Sequence, residues 1–417
     1  MRVAFNTLGC KINQYETDAL RRDFAAHGNT IVPFEADADI YIINTCTVTA
    51  KSDYQCRQVI KSAIKRGKGA QVIVTGCYAE TRPEELKTIE GVSLVIGNGE
   101  KMTIPVRLSA TLGPGSAAPV HAVRSKARGF LKIQDGCDNG CSYCIVPFAR
   151  GNPRSKPLDT VLREFEELVN AGYPEVVLSG IHIGKYGVDL RTGHDLTSLL
   201  RILLEKRGSA RVRLSSVEPR EITTEMIGML GRGLCRHLHI PLQSGDDGIL
   251  KAMKRNYSSG FYQELLHSIA IAVPGIALGA DVMVGFPGEG DDEFSNTFNL
   301  IEKSPLTHLH VFSYSARPGT PAAEMPAQVP DKIKKLRSET LRELGKKKNA
   351  EFRKQCEGYD HKAVIEDHID VSSGFLTGIT DNYIRLSIQG ATKGIIGKKV
   401  NVRVMRSQEF NSIATLI

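Results

Sequence analysis

The 417-residue chain contains no run of 18 apolar residues, which excludes a membrane-spanning helix by hydropathy. It also lacks a basic, then apolar, leader. Met1–Asn6 enters a strand-like pattern at once, so the expected location is the cytoplasm and no membrane partner is expected. Nine cysteines without a secretory context point away from disulfides and toward metal binding or catalysis. One sign of charge is in short supply. The formal net charge is +8, and between Asp331 and Gln355 ten Lys/Arg face four Asp/Glu. Such a run is either a solvated helix face or a surface for a polyanion such as nucleic acid. At about 100–200 residues per domain, the length allows two or three domains.

The cysteines that are present fall into two groups. Cys137, Cys141 and Cys144 form a C-x₃-C-x₂-C loop in DGCDNGCSYC, directly after the apolar run Phe130–Gln134. A [4Fe–4S] cluster is usually held by four cysteines, and the next one, Cys235, lies far away. A cluster here would keep one iron open to a ligand. The alternative is zinc, although no second C-x₂₋₄-C half-site and no close histidine follows Cys144. Earlier in the chain, RVAFNTLGC, DIYIINTC and AQVIVTGC each close a β-rich run on a cysteine, Cys10, Cys46 and Cys77, and each is followed by a helix-like stretch. Strand–helix alternation implies a parallel sheet whose strand ends share one edge. Three cysteines would meet there as a second cluster site, unless each is only a small buried hydrophobe. Cys56 breaks the pattern and reads as a packing residue, as does Cys235.

The expected fold class is α/β, with a Rossmann-like parallel sheet domain over 1–110, a Gly/Pro/Ser/Ala-rich linker over 111–128, an incomplete (β/α)₆ barrel over 129–350, and a small all-β barrel of the OB type over 351–417. Six runs make the central strands: Phe130–Gln134, Val176–Ser179, Val212–Ser215, Leu238–Leu242, Ala280–Val284 and His310–Tyr314. Their C-terminal ends carry Gly180, His182, Glu218, Gln243, Ser244, Gly285, Pro287 and Glu289, a polar, glycine-rich edge suited to a zwitterionic nucleoside. By residue type alone His239 reads as a barrel-interior residue. Arg150 and Arg154 face either an anionic substrate, RNA included, or solvent. The basic helix after Pro326 is expected to bury Ile333, Leu336, Leu341 and Leu344. The terminal β domain reads equally as a nucleic-acid binder or a structural module.

In order along the whole chain, TLGCKINQYET, INTCTVT, VTGCYA, KIQDGC, CSYCIVPFARG, SGIHIGKYG, SSVEP, IPLQSG and DVMVGFPGE resemble the methylthiotransferases of the radical S-adenosylmethionine superfamily. NQYET and GIHIGKYG are most similar to the branch acting on threonylcarbamoyladenosine at position 37 of tRNA. The resemblance implies a sulfur-containing group transferase (EC 2.8.4 type) with two [4Fe–4S] clusters and S-adenosylmethionine as cofactors. Cys137, Cys141 and Cys144 would hold the radical-forming cluster, and Cys10, Cys46 and Cys77 an auxiliary one. Tyr143, Ser179, Gly180, Glu218, His239, Gln243 and Pro287 would line the cofactor. The last region would be a TRAM-like RNA-binding barrel. The implied partners are the tRNA anticodon stem-loop, an electron donor and a sulfur source, and the enzyme would be a monomer. Asn139–Gly140 departs from the bulky residue many relatives carry before the second cysteine. The rival expectations are another tRNA adenosine derivative or a ribosomal protein side chain as substrate, and a non-catalytic iron–sulfur RNA-binding protein.

Overall fold

The computed structural model describes residues 1–67, 69–108, 127–408 and 411–417. The linker expected over 111–128 lies outside the described residues except for Ala127 and Arg128. By contact the chain divides into two compact units.

The first unit is built on residues 1–108 and takes in two distant pieces, Asp135–Pro153 and Ser315–Ala323. Its five strands are all parallel, in the spatial order Thr30–Val32, Arg2–Thr7, Ile40–Thr45, Gln71–Gly76, Leu94–Ile96. Alternation along the strands splits the core by face. Val3, Phe5, Ile40, Ile42 and Ile73 pack on Leu20 and Phe24 of the helix Lys11–Ala26. Ala4, Tyr41, Ile43, Val72 and Val74 pack on Ile60 and Ala63 of the helix Ala50–Arg66. That second helix starts on a Thr49–Ser52 capping box. Both strand faces are covered, which is why these runs read as nearly continuous apolar stretches.

The second unit contains 127–134, Arg154–Tyr314 and Glu324–Ile417. Each of the six central runs overlaps a strand, although residues 240–242 fall beyond the strand His237–His239, and the strands are paired in parallel as two sets. Gly129–Lys132, Glu175–Ser179 and Arg211–Leu214 form one, and His237–His239, Ala277–Val284 and His308–Ser313 the other. A parallel bridge from Val212 to Leu234 continues the ladder just before His237. Beyond the helix Asp331–Gln355, five strands close into a barrel in the order Asp360–Ile369, Leu376–Thr380, Arg385–Gln389, Ser412–Leu416, Lys399–Ser407.

The basic helix departs from its expected stripe. Leu341 and Leu344 are buried, but Leu336 is exposed and Arg337 is buried instead. Arg337 Nη1 donates to Glu289 Oε1 at 2.8 Å and Nη2 to Asp291 at 2.8 Å. A charged residue takes a core position here because acidic partners wait for it, a condition hydropathy does not register.

Candidate functional site

In the first unit both cysteine groups sit at strand ends or in the attached loop. Cys10 precedes the helix Lys11–Ala26, Cys46 follows Ile40–Thr45, and Cys77 follows Gly76 and opens the helix Cys77–Thr81. The parallel register brings these ends to one edge. A Cβ on Gly9 would stand 3.0 Å from Cys46 Sγ, so only a glycine with φ +99° lets the two segments approach this closely. Burial above all, and then the nearby Cys77 and Cys10, push the Cys46 thiol up. Metal ligation would relieve this by taking the proton away. Cys56 is buried against Cys46, whose backbone N–H and C=O both meet its sulfur.

The loop Asp135–Pro153 is held by its own turns and by the first-unit helix. Cys137 N donates to Gly151 O and Cys144 N to Cys141 O. Gly140, at φ +65°, adopts a left-handed backbone that a bulky residue would strain, which gives the departure at Asn139–Gly140 a physical reason. Arg150, expected to face an anionic substrate or solvent, does neither. It is 4% exposed, with Nη1 donating to Glu16 Oε1 at 2.9 Å and to Asp135 Oδ1 at 3.0 Å, and Nη2 to Asn13 Oδ1 at 2.6 Å. The other Glu16 oxygen lies 2.5 Å from Lys101 Nζ, itself buried. Burial opposes the charge on Arg150, but Glu16, Cys77 and Asp135 hold its pKa above the ordinary value.

Two further side chains were not read from the sequence. Asn98 Nδ2 donates to Cys77 Sγ at 3.6 Å and to Ala149 O at 2.7 Å, touching a cysteine of the first group and the helix that closes the loop of the second. Arg317, in the piece Ser315–Ala323, donates to Asp53 Oδ2 at 2.5 Å and Thr47 Oγ1 at 2.9 Å, while Ala322 N donates to Ser142 O. Asn98 lies just past Leu94–Ile96 and Arg317 just past His308–Ser313, so the strand-end rule applied to every strand would have found both. Three thiols in each group suit a cubane, whose ligands sit on separate irons and need not converge on one point.

In the second unit the strand ends carry buried polar atoms that lack partners. Ser179 Oγ, Ser215 Oγ and Gln243 Oε1 have none. Gln243 has φ +63°, a strained left-handed residue held by the bonds of its N–H to Asp281 O and its C=O to Met283 N. Buried unpaired acceptors and hydroxyls on consecutive strand ends fit a polar ligand that completes them, as S-adenosylmethionine would. A Cβ on Gly180 would meet Ile183 at 2.6 Å and Gln134 O at 3.0 Å. Burial pushes Glu218 up while Arg255 pairs with it. His182 Nε2 lies 2.5 Å from Glu221 Oε1. Pro287 is buried, and Glu289 is occupied by Gly285 N and Arg337. His239 bonds Asp281, Tyr143 is half-buried and Arg154 is exposed.

Residues 2–97 match the family described as Uncharacterized protein family UPF0004, and residues 131–301 match the Radical SAM superfamily. The threonylcarbamoyladenosine tRNA methylthiotransferase MtaB of Bacillus subtilis (strain 168) is 39% identical over 97% of this chain and 94% of its own. The tRNA-2-methylthio-N(6)-dimethylallyladenosine synthase of Clostridium perfringens (strain SM101 / Type A) is 30% identical over 99% and 97%. Among solved structures, the radical S-adenosylmethionine methyltransferase TsrM of Kitasatospora setae has a TM-score of 0.58 at 17% identity, covering 77% of this chain and 75% of that one, a likeness of fold. No helix among the described residues is long and apolar enough to cross a membrane. With one family model over its first sheet, another over its cysteine loop and central strands, and full-length relatives at this identity, the chain belongs to the methylthiotransferases of the radical S-adenosylmethionine superfamily, iron–sulfur enzymes that use S-adenosylmethionine.

Proposed function

We propose that the enzyme attaches a methylthio group to C2 of N6-threonylcarbamoyladenosine at position 37 of tRNA. Two [4Fe–4S] clusters would serve it, one on Cys137, Cys141 and Cys144 and an auxiliary one on Cys10, Cys46 and Cys77. When bound, the clusters and S-adenosylmethionine supply the radical and the methylthio group that an unactivated aromatic C–H requires. The chain's own residues hold and shape these sites. Arg150 pins the cysteine loop to Glu16, Asn98 donates to Cys77 Sγ, and Ser179, Ser215 and Gln243 offer the polar groups a bound nucleoside would complete. Ser179, Gly180, Glu218, Gln243 and Pro287 would meet the S-adenosylmethionine, with Tyr143 near its adenine. The central strands would act as an incomplete (β/α)₆ barrel and the terminal closed barrel as a TRAM-like RNA binder.

The observation that carries the two-cluster reading is that both cysteine triads lie in one compact unit and that a single buried guanidinium, Arg150, ties their segments. The substrate reading rests on the higher identity to relatives named for threonylcarbamoyladenosine. Mass analysis of tRNA nucleosides from cells with and without the gene tests it. The methylthio form of threonylcarbamoyladenosine should vanish with the gene. Its persistence, or loss of a different methylthio nucleoside in its place, would refute the assignment. Reconstituted protein should hold about eight irons, and Cys77→Ala about four with no methylthio product.

A further inference from the structure

Two segments of the second unit repeat a pattern that the activity above leaves unused. His237-Leu238-His239 and His308-Leu309-His310 are both His-Leu-His on strands, so in each the two histidines share a face. The strand Ala277–Val284 pairs with both in parallel, setting His239 opposite Gly279, Gly279 opposite His308, and Asp281 opposite His310. Leu278, Ala280, Val282 and Val284 point to the opposite face and into the apolar core. Gly279 makes room in this row. A Cβ there would come within 2.1 Å of His308 Nε2 and 2.8 Å of His239 Nδ1, so both nitrogens crowd the same point. One row on, Asp281 Oδ1 lies 3.0 Å from His239 Nε2 and 3.3 Å from His310 Nδ1. One ligating atom from each of these three residues lies within 4.8 Å of the other two.

The donor atoms of His239, Asp281 and His310 argue for an ion. Thr307 Oγ1 donates to Leu278 O and therefore accepts from His308 Nδ1 at 3.1 Å, which leaves Nε2 of an uncharged His308 as an acceptor. That Nε2 is buried and has no partner. His239 turns Nε2, not Nδ1, toward Asp281, so that nitrogen and the carboxylate face the same space. Two imidazoles and a carboxylate with open positions are the donor set of catalytic zinc and non-haem ferrous sites. Asp281 is partly accessible and His310 is 64% exposed in its side chain, so an ion has a way in.

We propose that His239 Nε2, the Asp281 carboxylate and His310 Nδ1 bind one divalent transition-metal ion, of the zinc or ferrous class, with its remaining positions open to water or an oxygen ligand. The site takes His239 from the set expected to line S-adenosylmethionine, because His239 is bonded to Asp281 instead. ZnCl₂ is the probe, titrated against the full-length, cluster-loaded protein in competition with a chromophoric chelator. The wild type should bind one zinc more than His310→Ala or Asp281→Asn does, or bind it at least about tenfold more tightly. Zinc-edge absorption should show only nitrogen and oxygen neighbours near about 2.0–2.1 Å, without the sulfur shell near about 2.3 Å that cysteine would add. His310 is exposed, so His310→Ala spares the core, and unchanged iron content verifies the fold. Equal zinc stoichiometry and affinity in wild type and both variants would overturn the site and leave a metal-free hydrogen-bonded pair of His239 and Asp281. A zinc–sulfur shell would overturn it too, placing the ion on cysteines.

Discussion

In the first unit Glu16 gathers Arg150 and Lys101, and in the second Glu175 gathers Arg211, Arg213 and Arg128. Both carboxylates are buried, yet the surroundings differ. Around Glu16 the charges balance, because Asp135 joins it opposite two cations. The partners come from the helix Lys11–Ala26, from Lys101 and from the cysteine loop, so the ion pairs fix where that loop sits. Around Glu175 one carboxylate meets three arginines. The remaining N–H groups of Arg211 and Arg213 go to carbonyls of Lys362, Ile379, Thr380 and Asp381 in the terminal barrel. The first hub therefore positions the cysteine loop, and the second fastens the small barrel to the N-terminal ends of the central strands. Buried ions are retained in one place for geometry and in the other for assembly.

The sharpest way to break this comparison is Glu175→Gln. Arg211 and Arg213 would lose the buried carboxylate they share, while Arg128 keeps Glu366, and such a change at a residue with 0% exposure costs about 3–5 kcal/mol. Urea unfolding followed by circular dichroism should show it. Burial pushes the Glu175 carboxyl up, but Arg213 and Arg211 prevail and hold it well below the ordinary carboxylate range. Its contribution is therefore full above the unfolded value of about 4.3 and is lost as pH falls from there toward the folded value. The wild type should lose stability over that acid range more steeply than the variant. Equal slopes would mean that Glu175 is not the group responsible.

Arg150→Met should be milder for stability and harsher for activity. Glu16 keeps Lys101, so the cost is about 2 kcal/mol in thermal melting. Product formation should fall on the order of 100-fold, since a displaced loop misplaces its reacting groups. Normal turnover at normal iron content would show that the first hub does not position the loop. The smallest effect is expected for Asn98→Ala, about 1 kcal/mol or less. Loss of a donor to Cys77 Sγ should lower the midpoint potential of the auxiliary cluster proposed there, measurable by redox titration with electron paramagnetic resonance. An unmoved potential would reduce Asn98 to a packing residue.

Much of this was legible because it is periodic. The three strands that end at Cys10, Cys46 and Cys77, the six central strands, and the C-x₃-C-x₂-C spacing all follow from local patterns that depend on neighbours one or two residues away. Arg150 reads as surface from the sequence because the helix that buries it is far away along the chain. Its partner Glu16 lies 134 positions away. Leu336 was misplaced for the same reason, since Arg337 took the buried position to reach Glu289 and Asp291. The strand Ser412–Leu416 closes the barrel by pairing parallel to Arg385–Gln389, a long-range pairing that no local pattern reports.

By itself the sequence singled out the candidate residues for chemistry, because metal ligation needs particular atoms and strand and helix periods place those atoms at element ends. It also determined the family, through motifs spread over the whole length. The tertiary structure alone decided the company those residues keep. It drew Asp135–Pro153 and Ser315–Ala323 into the first unit and set His239, Asp281 and His310 on adjacent strands. Such groupings depend on long-range pairing and on where buried charges find their counter-charges, and neither quantity is written in any local stretch of the chain.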